Sequence, residues 1–323
     1  MSLDEVVREF LATKPDSGHP DQPIAERRAA IRIGSDALFE KFGANAVNDV
    51  SINEFHIDRG DEGIRVRVYR PNDAATGLPI HVFLHGGGWW LGSADELVND
   101  AMCRERSHGV ACLVVAVDYR LAPEHPFPTP VEDCYAGLLW AVANATEIGG
   151  DPGNVSVGGV SAGANLAAAV SLLARDRGGP QLRLQLLEVP PLDLTLDTMR
   201  ASGIGDAYGI TVDEMQLSTD LYLSSPHDAR SQLASPLLAP SVAGLPPARI
   251  MTAEFDPLRM DGERYAASLR SAGVPVSHTV YPGAVHGSLA LTGVWPPAVA
   301  WQRDVIASLR TVHARECMDG PQI

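Results

Sequence analysis

Basic residues, paired cysteines and long apolar runs are what this chain of 323 residues lacks. It has 25 lysines and arginines against 40 aspartates and glutamates, a formal net charge of −15, with a pI near 5.0. That balance argues against a nucleic-acid partner, because phosphate-backbone footprints are basic. It argues equally against electrostatic docking to an anionic membrane, and an acidic surface of this kind reads as a solubility device. The four cysteines, Cys103, Cys112, Cys134 and Cys317, form no Cys-x-x-Cys pair. A zinc or redox site is therefore not expected. No cysteine stands in a glycine-rich turn as a catalytic thiol would, so all four read as reduced and mostly buried. No apolar run approaches the ~20 residues that span a bilayer, so membrane insertion is not expected. Residues 1–40 mix Asp4, Glu5, Arg8, Glu9, Asp16 and Asp21 with short apolar groups. They lack a basic segment followed by an apolar one, so a signal peptide is not expected and a cytoplasmic location is. Internal repeats and low-complexity segments are also missing.

What is present is ordinary globular composition, 45% hydrophobic and 20% charged. The length fits one large α/β domain with an insertion, or two domains. A core of that size requires neither metal nor disulfide. Eight strands are predicted: Glu54 to Arg59, Ile64 to Tyr69, Ile80 to Leu84, Ala111 to Val117, Asn154 to Val157, Leu182 to Val189, Ala248 to Met251 and Val276 to Tyr281. Helical stretches fall between them, at Asp95 to Ser107, Pro130 to Ala145, Ala162 to Arg175, Asp261 to Ala272 and Pro297 to His313. Alternation of this kind implies a mostly parallel sheet with helices on both faces. The first two strands, joined through Gly60-Asp61-Glu62-Gly63, should form an antiparallel edge. Two segments do not fit: Leu3 to about Phe42, and Asp193 to about Pro236. Their apolar residues, among them Met199, Tyr208, Ile210, Met215 and Leu221, suit a helical cap. The expected division is then 1–45 and 193–236 as cap, with 46–192 and 237–323 as the catalytic α/β unit.

The chemistry is concentrated in a few short motifs. His85-Gly86-Gly87-Gly88 closes a buried strand and is followed by Trp89 and Trp90. Three glycines leave the backbone free to turn its N–H groups toward one point, where they can stabilise an oxyanion. Gly159-Val160-Ser161-Ala162-Gly163 is the Gly-x-Ser-x-Gly elbow, and an HGGG loop before such an elbow is the pairing found in α/β-hydrolase esterases and lipases. Ser161 is the expected nucleophile, and it needs a base within hydrogen-bond reach. The amides of Gly86, Gly87 and Ala162 are the expected oxyanion donors.

In this fold the triad runs Ser, acid, His along the chain. His286 follows the last strand, in a loop with Gly283 and Gly287 on either side, and is the expected base. His278 lies within a strand, His313 comes too late, His125 suits a structural turn and His227 falls in the cap segment. His85 is expected to shape the oxyanion loop. The segment after the seventh strand offers Glu254, Asp256 and Asp261. Asp256 precedes a proline, which biases it toward an extended conformation, and it is the preferred acid. Trp89, Tyr208 and Met215 are candidates for the substrate pocket. No metal or other cofactor is expected.

With these motifs in place the chain resembles the hormone-sensitive-lipase-like family of α/β-hydrolase esterases. His85 to Trp89 is similar to the family's HGGGW loop, and Asp118-Tyr119-Arg120-Leu121-Ala122-Pro123-Glu124-His125-Pro126-Phe127-Pro128 to its stretch after the fourth strand. Ser235 to Ala239, Gly244 to Pro247 and Asp256 to Arg259 also match, so the resemblance runs from about residue 80 to 287. It implies a capped, cofactor-free serine hydrolase acting on small carboxylic esters with short or medium acyl chains, and a homodimer is compatible with it. Three positions depart from the pattern: Val160 before the serine, Ala164 after Gly163, and Met260 where an acidic residue often stands. Two alternatives accompany the reading. The same triad could hydrolyse amides or formamides, and a non-catalytic small-ligand receptor can be built on the same fold.

Overall fold

The computed structural model describes residues 3–13, 22–60 and 63–314. Cys317, Asp16, Asp21 and the Asp61-Glu62 tip of the expected hairpin lie outside the described residues. Eight strands form one sheet: β1 (Val50–Ile57), β2 (Ile64–Pro71), β3 (Leu78–Leu84), β4 (Leu113–Asp118), β5 (Gly150–Val160), β6 (Gln185–Glu188), β7 (Ala248–Ala253) and β8 (Val276–Tyr281). Their order is β1-β2-β4-β3-β5-β6-β7-β8. β2 runs antiparallel to both β1 and β4, and every other pair is parallel. The expected antiparallel edge is therefore present. β4 is buried along its first five residues, Leu-Val-Val-Ala-Val, as a strand covered on both faces must be.

Among the described residues ten α-helices accompany the sheet: α1 (Glu5–Ala12), α2 (Ile24–Phe42), α3 (Leu97–Val110), α4 (Thr129–Ala143), α5 (Ala145–Ile148), α6 (Ala162–Asp176), α7 (Asp197–Arg200), α8 (Val212–Tyr222), α9 (Arg259–Ser271) and α10 (Pro296–His313). None is long and apolar enough to cross a membrane. α6 is buried from Ala162 to Ala174. Its run of alanines and Gly163 lets it lie close against the centre of the sheet, where bulkier side chains would hold it off. Cys103, Cys112 and Cys134 are buried free thiols. In a mostly parallel sheet the loops leaving the C-terminal strand ends converge on one edge. β3 delivers His85, β5 delivers Ser161, β7 delivers Asp256 and β8 delivers His286 to that edge.

Candidate active site

Ser161 joins β5 to α6 in a backbone conformation that L-residues rarely adopt, φ 54° and ψ −121°. Three hydrogen bonds hold it there. Its N–H donates to the Glu188 carbonyl at 2.8 Å, and its own carbonyl accepts from Ala164 and Asn165 at 2.9 and 3.0 Å. The turn packs so tightly on β3 that a Cβ at Gly163 would overlap the Leu84 and His85 carbonyls. Only glycine fits there, which is the physical content of the last position of Gly-x-Ser-x-Gly. Val160 and Ala164, the two departures at the elbow, pack as apolar residues on either side of it.

His286 Nε2 lies 3.0 Å from Ser161 Oγ. Its Nδ1 lies 2.7 Å from Asp256 Oδ2. Asp256 is 1% exposed, and its Oδ1 accepts the Leu258 amide at 2.9 Å, which fixes the carboxylate plane. Serine, imidazole and carboxylate thus form one hydrogen-bonded line with the three members drawn from different strand ends. Two of the other histidines considered as bases are engaged elsewhere. His278 bonds Thr252, and His313 bonds Asn154 and Ser156. Glu254 accepts the Gly283 amide and Asp261 the amides of Leu192 and Asp193, so neither alternative carboxylate meets the imidazole.

The glycine loop stands across from the serine. A Cβ at Gly86 would lie 3.5 Å from that of Ser161. Gly87 has φ +116°, and the Leu91 backbone occupies the space where its side chain would be. The Gly87 carbonyl turns away to accept from Trp90 and Leu91. His85 is buried; its ring stacks on Tyr119 at 4.2 Å, and its Nδ1 donates to the Gly86 carbonyl at 2.8 Å. Burial lowers the His85 pKa below the ordinary imidazole value, so the ring stays neutral and serves as a strut for the loop. Ala162 opens α6, so its amide belongs to the unpaired first turn of a helix, where anions are favoured.

A cavity of about 400 Å³ opens onto this site. Its catalytic wall contains Gly86, Gly87, Ser161 and His286. Phe10 comes from α1; Ile31, Leu38, Phe39 and Phe42 from α2; Met215, Leu217 and Ser218 from α8. Helices from both segments that broke the strand-helix alternation therefore line one cavity. α2 is tied down by Arg28, which bonds the Trp90 carbonyl at 2.7 Å and pairs with Glu124, and by Arg32, which reaches Ser93 and Asp95.

Of the three expected pocket residues, Met215 lines this cavity and two do not. Trp89 has φ +65°, which swings its ring away from the site. It is fully buried, stacks on Tyr222 at 4.6 Å and donates to Asn165. Trp90 lines the cavity in its place. Tyr208 stacks on Phe255 at 4.9 Å, covering the loop that carries Asp256. The α2 face and Glu96, a carboxyl that burial pushes up to about 7, also line the cavity. Sequence reading places residues 24–42 in the cap and names none of these side chains.

The fold and the site define a serine hydrolase. A family description of the alpha/beta hydrolase fold matches residues 81–290. The carboxylic ester hydrolase LipN of Mycobacterium tuberculosis is 38% identical over 320 residues, covering 97% of this chain and 84% of that protein. An arylesterase of Saccharolobus solfataricus is 39% identical, covering 90% and 93% respectively. Among solved structures, a hyperthermophilic esterase from Pyrobaculum calidifontis superposes with a TM-score of 0.88 at 36% identity, covering 96% of this chain and 99% of that one. The chain belongs to the α/β-hydrolase family, within its hormone-sensitive-lipase-like carboxylic ester hydrolases.

Proposed function

We propose that this protein hydrolyses short- to medium-chain carboxylic esters through an acyl-enzyme intermediate formed on Ser161. Ser161 Oγ attacks the ester carbonyl while His286 Nε2 takes its proton. Asp256 holds the imidazole tautomer through Nδ1. The amides of Gly86, Gly87 and Ala162 receive the negative charge that develops on the carbonyl oxygen. The tetrahedral intermediate collapses with loss of the alcohol, protonated by His286. Water then repeats the sequence on the acyl-enzyme and releases the acid.

The hydrogen-bonded line from Ser161 through His286 to Asp256, at the wall of a mostly apolar cavity, is the observation that carries this reading. The cavity suits an acyl chain of limited length, because side chains of α1, α2 and α8, which we assign to the cap, bound it. Ser161→Ala and His286→Ala should each lower kcat by roughly 10⁴–10⁶ with little change in folding. Covalent labelling by an organophosphate should be lost in Ser161→Ala. Near-normal esterase activity in that variant would remove Ser161 from the role.

A further inference from the structure

Behind the active-site cavity lies a second one, of about 200 Å³. The two share Phe39, Met102, Leu289 and Ala290 as lining residues. Leu289 and Ala290 of this partition belong to the short helical turn that begins two residues after His286, and with His286 they line the first cavity. All four partition residues are apolar. Met102 is unbranched and the most adaptable of the four, and its Sδ lies 3.8 Å from Arg106 Nη2.

Beyond the partition the lining is still largely apolar, with Ala44, Ala46, Val47, Ala101 and Val299, but it includes four polar side chains, Asn45, Glu105, Thr292 and Gln302. Gln302, on α10, is 1% exposed. Neither its Nε2 nor its Oε1 has a hydrogen-bond partner among the described residues. A carboxamide buried in that way is unfavourable until something pairs with it. Glu105 lies in the same lining, and burial raises its pKa above the ordinary carboxylate range. A carboxylate brought here would face a second acid. A neutral group that both donates and accepts would meet no such opposition.

We propose that the second cavity is a distal acyl subsite, entered past Met102, in which Gln302 selects chains ending in a hydroxyl or carboxamide. The inference rests on the ester-hydrolase reading of the Ser161 site. It extends that reading to a substrate class: esters whose acyl part carries a neutral polar group at its far end. A plain alkyl tail that reaches the subsite gains burial but leaves Gln302 unpaired. A hydroxyl-ended tail of the same length satisfies the amide from both sides.

The test uses matched 4-nitrophenyl esters of unsubstituted and ω-hydroxy acids, from acetyl to palmitoyl length. The quantity read is the ratio of kcat/KM for the hydroxylated ester to that of its plain partner. While the hydroxyl sits among the apolar walls of the first cavity the ratio should be below one. It should then rise about 10-fold within a window of longer chains, where the hydroxyl reaches Gln302. Gln302→Leu should abolish the rise. Val299→Phe should also remove it, because Val299 lines only the second cavity. This second variant keeps the test decisive if Gln302→Leu does not fold. A ratio that is flat with length in the unaltered protein overturns the subsite, as does a rise that survives either folded variant. Acetyl-ester hydrolysis by Ser161→Ala is measured alongside. Its persistence at the normal rate would take Ser161 out of the role on which the subsite rests, whereas its loss together with a flat ratio would remove the subsite alone.

Discussion

Asp256 and Asp261 stand five residues apart, both about 1% exposed, with different partners. Asp256 meets His286. Asp261 Oδ2 pins the chain leaving β6 through the Leu192 and Asp193 amides, at 2.7 and 3.0 Å, while its Oδ1 has no partner among the described residues. Sequence position alone favoured Asp256 through the following proline; the burial and bonding of Asp261 were not legible there. Asp256→Asn should keep the fold and lower kcat by about 10³–10⁴, because an amide favours the wrong imidazole tautomer. Asp261→Asn should change kcat only mildly, and the reverse ranking in steady-state kinetics would exchange their roles. Asp261 has a second signature. Burial outweighs the two amide bonds and pushes its carboxyl up to about 7, against about 3.9 in an unfolded chain. Between those values the folded state binds the extra proton, so this group's contribution to stability falls as pH rises from about 4 to about 7. The carboxamide introduced by Asp261→Asn does not titrate. In denaturant unfolding, the stability of the variant relative to the unaltered protein should therefore improve by a few kcal/mol between pH 4 and pH 8, at about 1.4 kcal/mol per pKa unit. A difference that does not change with pH would place the carboxyl outside this range.

At the scale of elements, the elbow depends on a buried ion pair that the sequence did not announce. Glu188 ends β6, and its carbonyl holds the Ser161 amide. Its side chain accepts from Arg106 of α3 at 2.7 Å and from Trp301 of α10 at 2.8 Å. Both charged side chains are fully buried, and the Arg106 guanidinium also lies over Phe83. The pair links two helices to the strand end beneath the nucleophile. Removing one member leaves an uncompensated buried charge, so Glu188→Leu or Arg106→Met should each destabilise by about 3–5 kcal/mol, while the double variant should be more stable than either single one. A double-mutant cycle by chemical denaturation checks this, and additive losses would deny the coupling.

Such a pair escaped reading because its members are 82 residues apart in the chain and neither carries a motif. Regular elements were far more legible. β8 falls where its apolar pattern put it, and α6 starts at Ala162 as expected. β1 begins four residues earlier than expected, at Val50. It is an edge strand whose apolar residues are split between its two faces, Val50 and Ile52 on one and Phe55 and Ile57 on the other, and the polar residues between them obscured its start. The Trp89–Trp90 exchange has a different cause. Side-chain direction in a glycine-rich turn is set by backbone dihedrals, and no residue-type pattern reports a positive φ at a tryptophan.

The whole molecule was legible as a parallel sheet presenting a serine, an acid and a histidine at one edge, because each strand end carries its own motif. The covering of that edge was legible only as two segments left over from the alternation, since which faces of α2 and α8 point inward is decided by their packing. That covering bears on substrate length. The cavity is bounded by Ile31, Leu38, Phe39 and Phe42 on one side and Ile210, Met215 and Leu217 on another, so an acyl chain gains about 0.8 kcal/mol for each methylene it buries until it meets these side chains. The kcat/KM for a series of plain esters should rise over the first few carbons and then fall steeply. Met215→Ala should move the optimum to longer chains, because its side chain is part of the boundary. Tyr208→Ala should not, because Tyr208 is stacked on Phe255 outside the cavity lining. Deleting residues 1–42 removes Phe10 and the whole α2 wall. Short esters should then show a raised KM with a smaller change in kcat, since the Ser161–His286–Asp256 line lies on the sheet. An acyl-length profile that stays the same in Met215→Ala and in the folded deletion variant would sink the idea that these segments set substrate length.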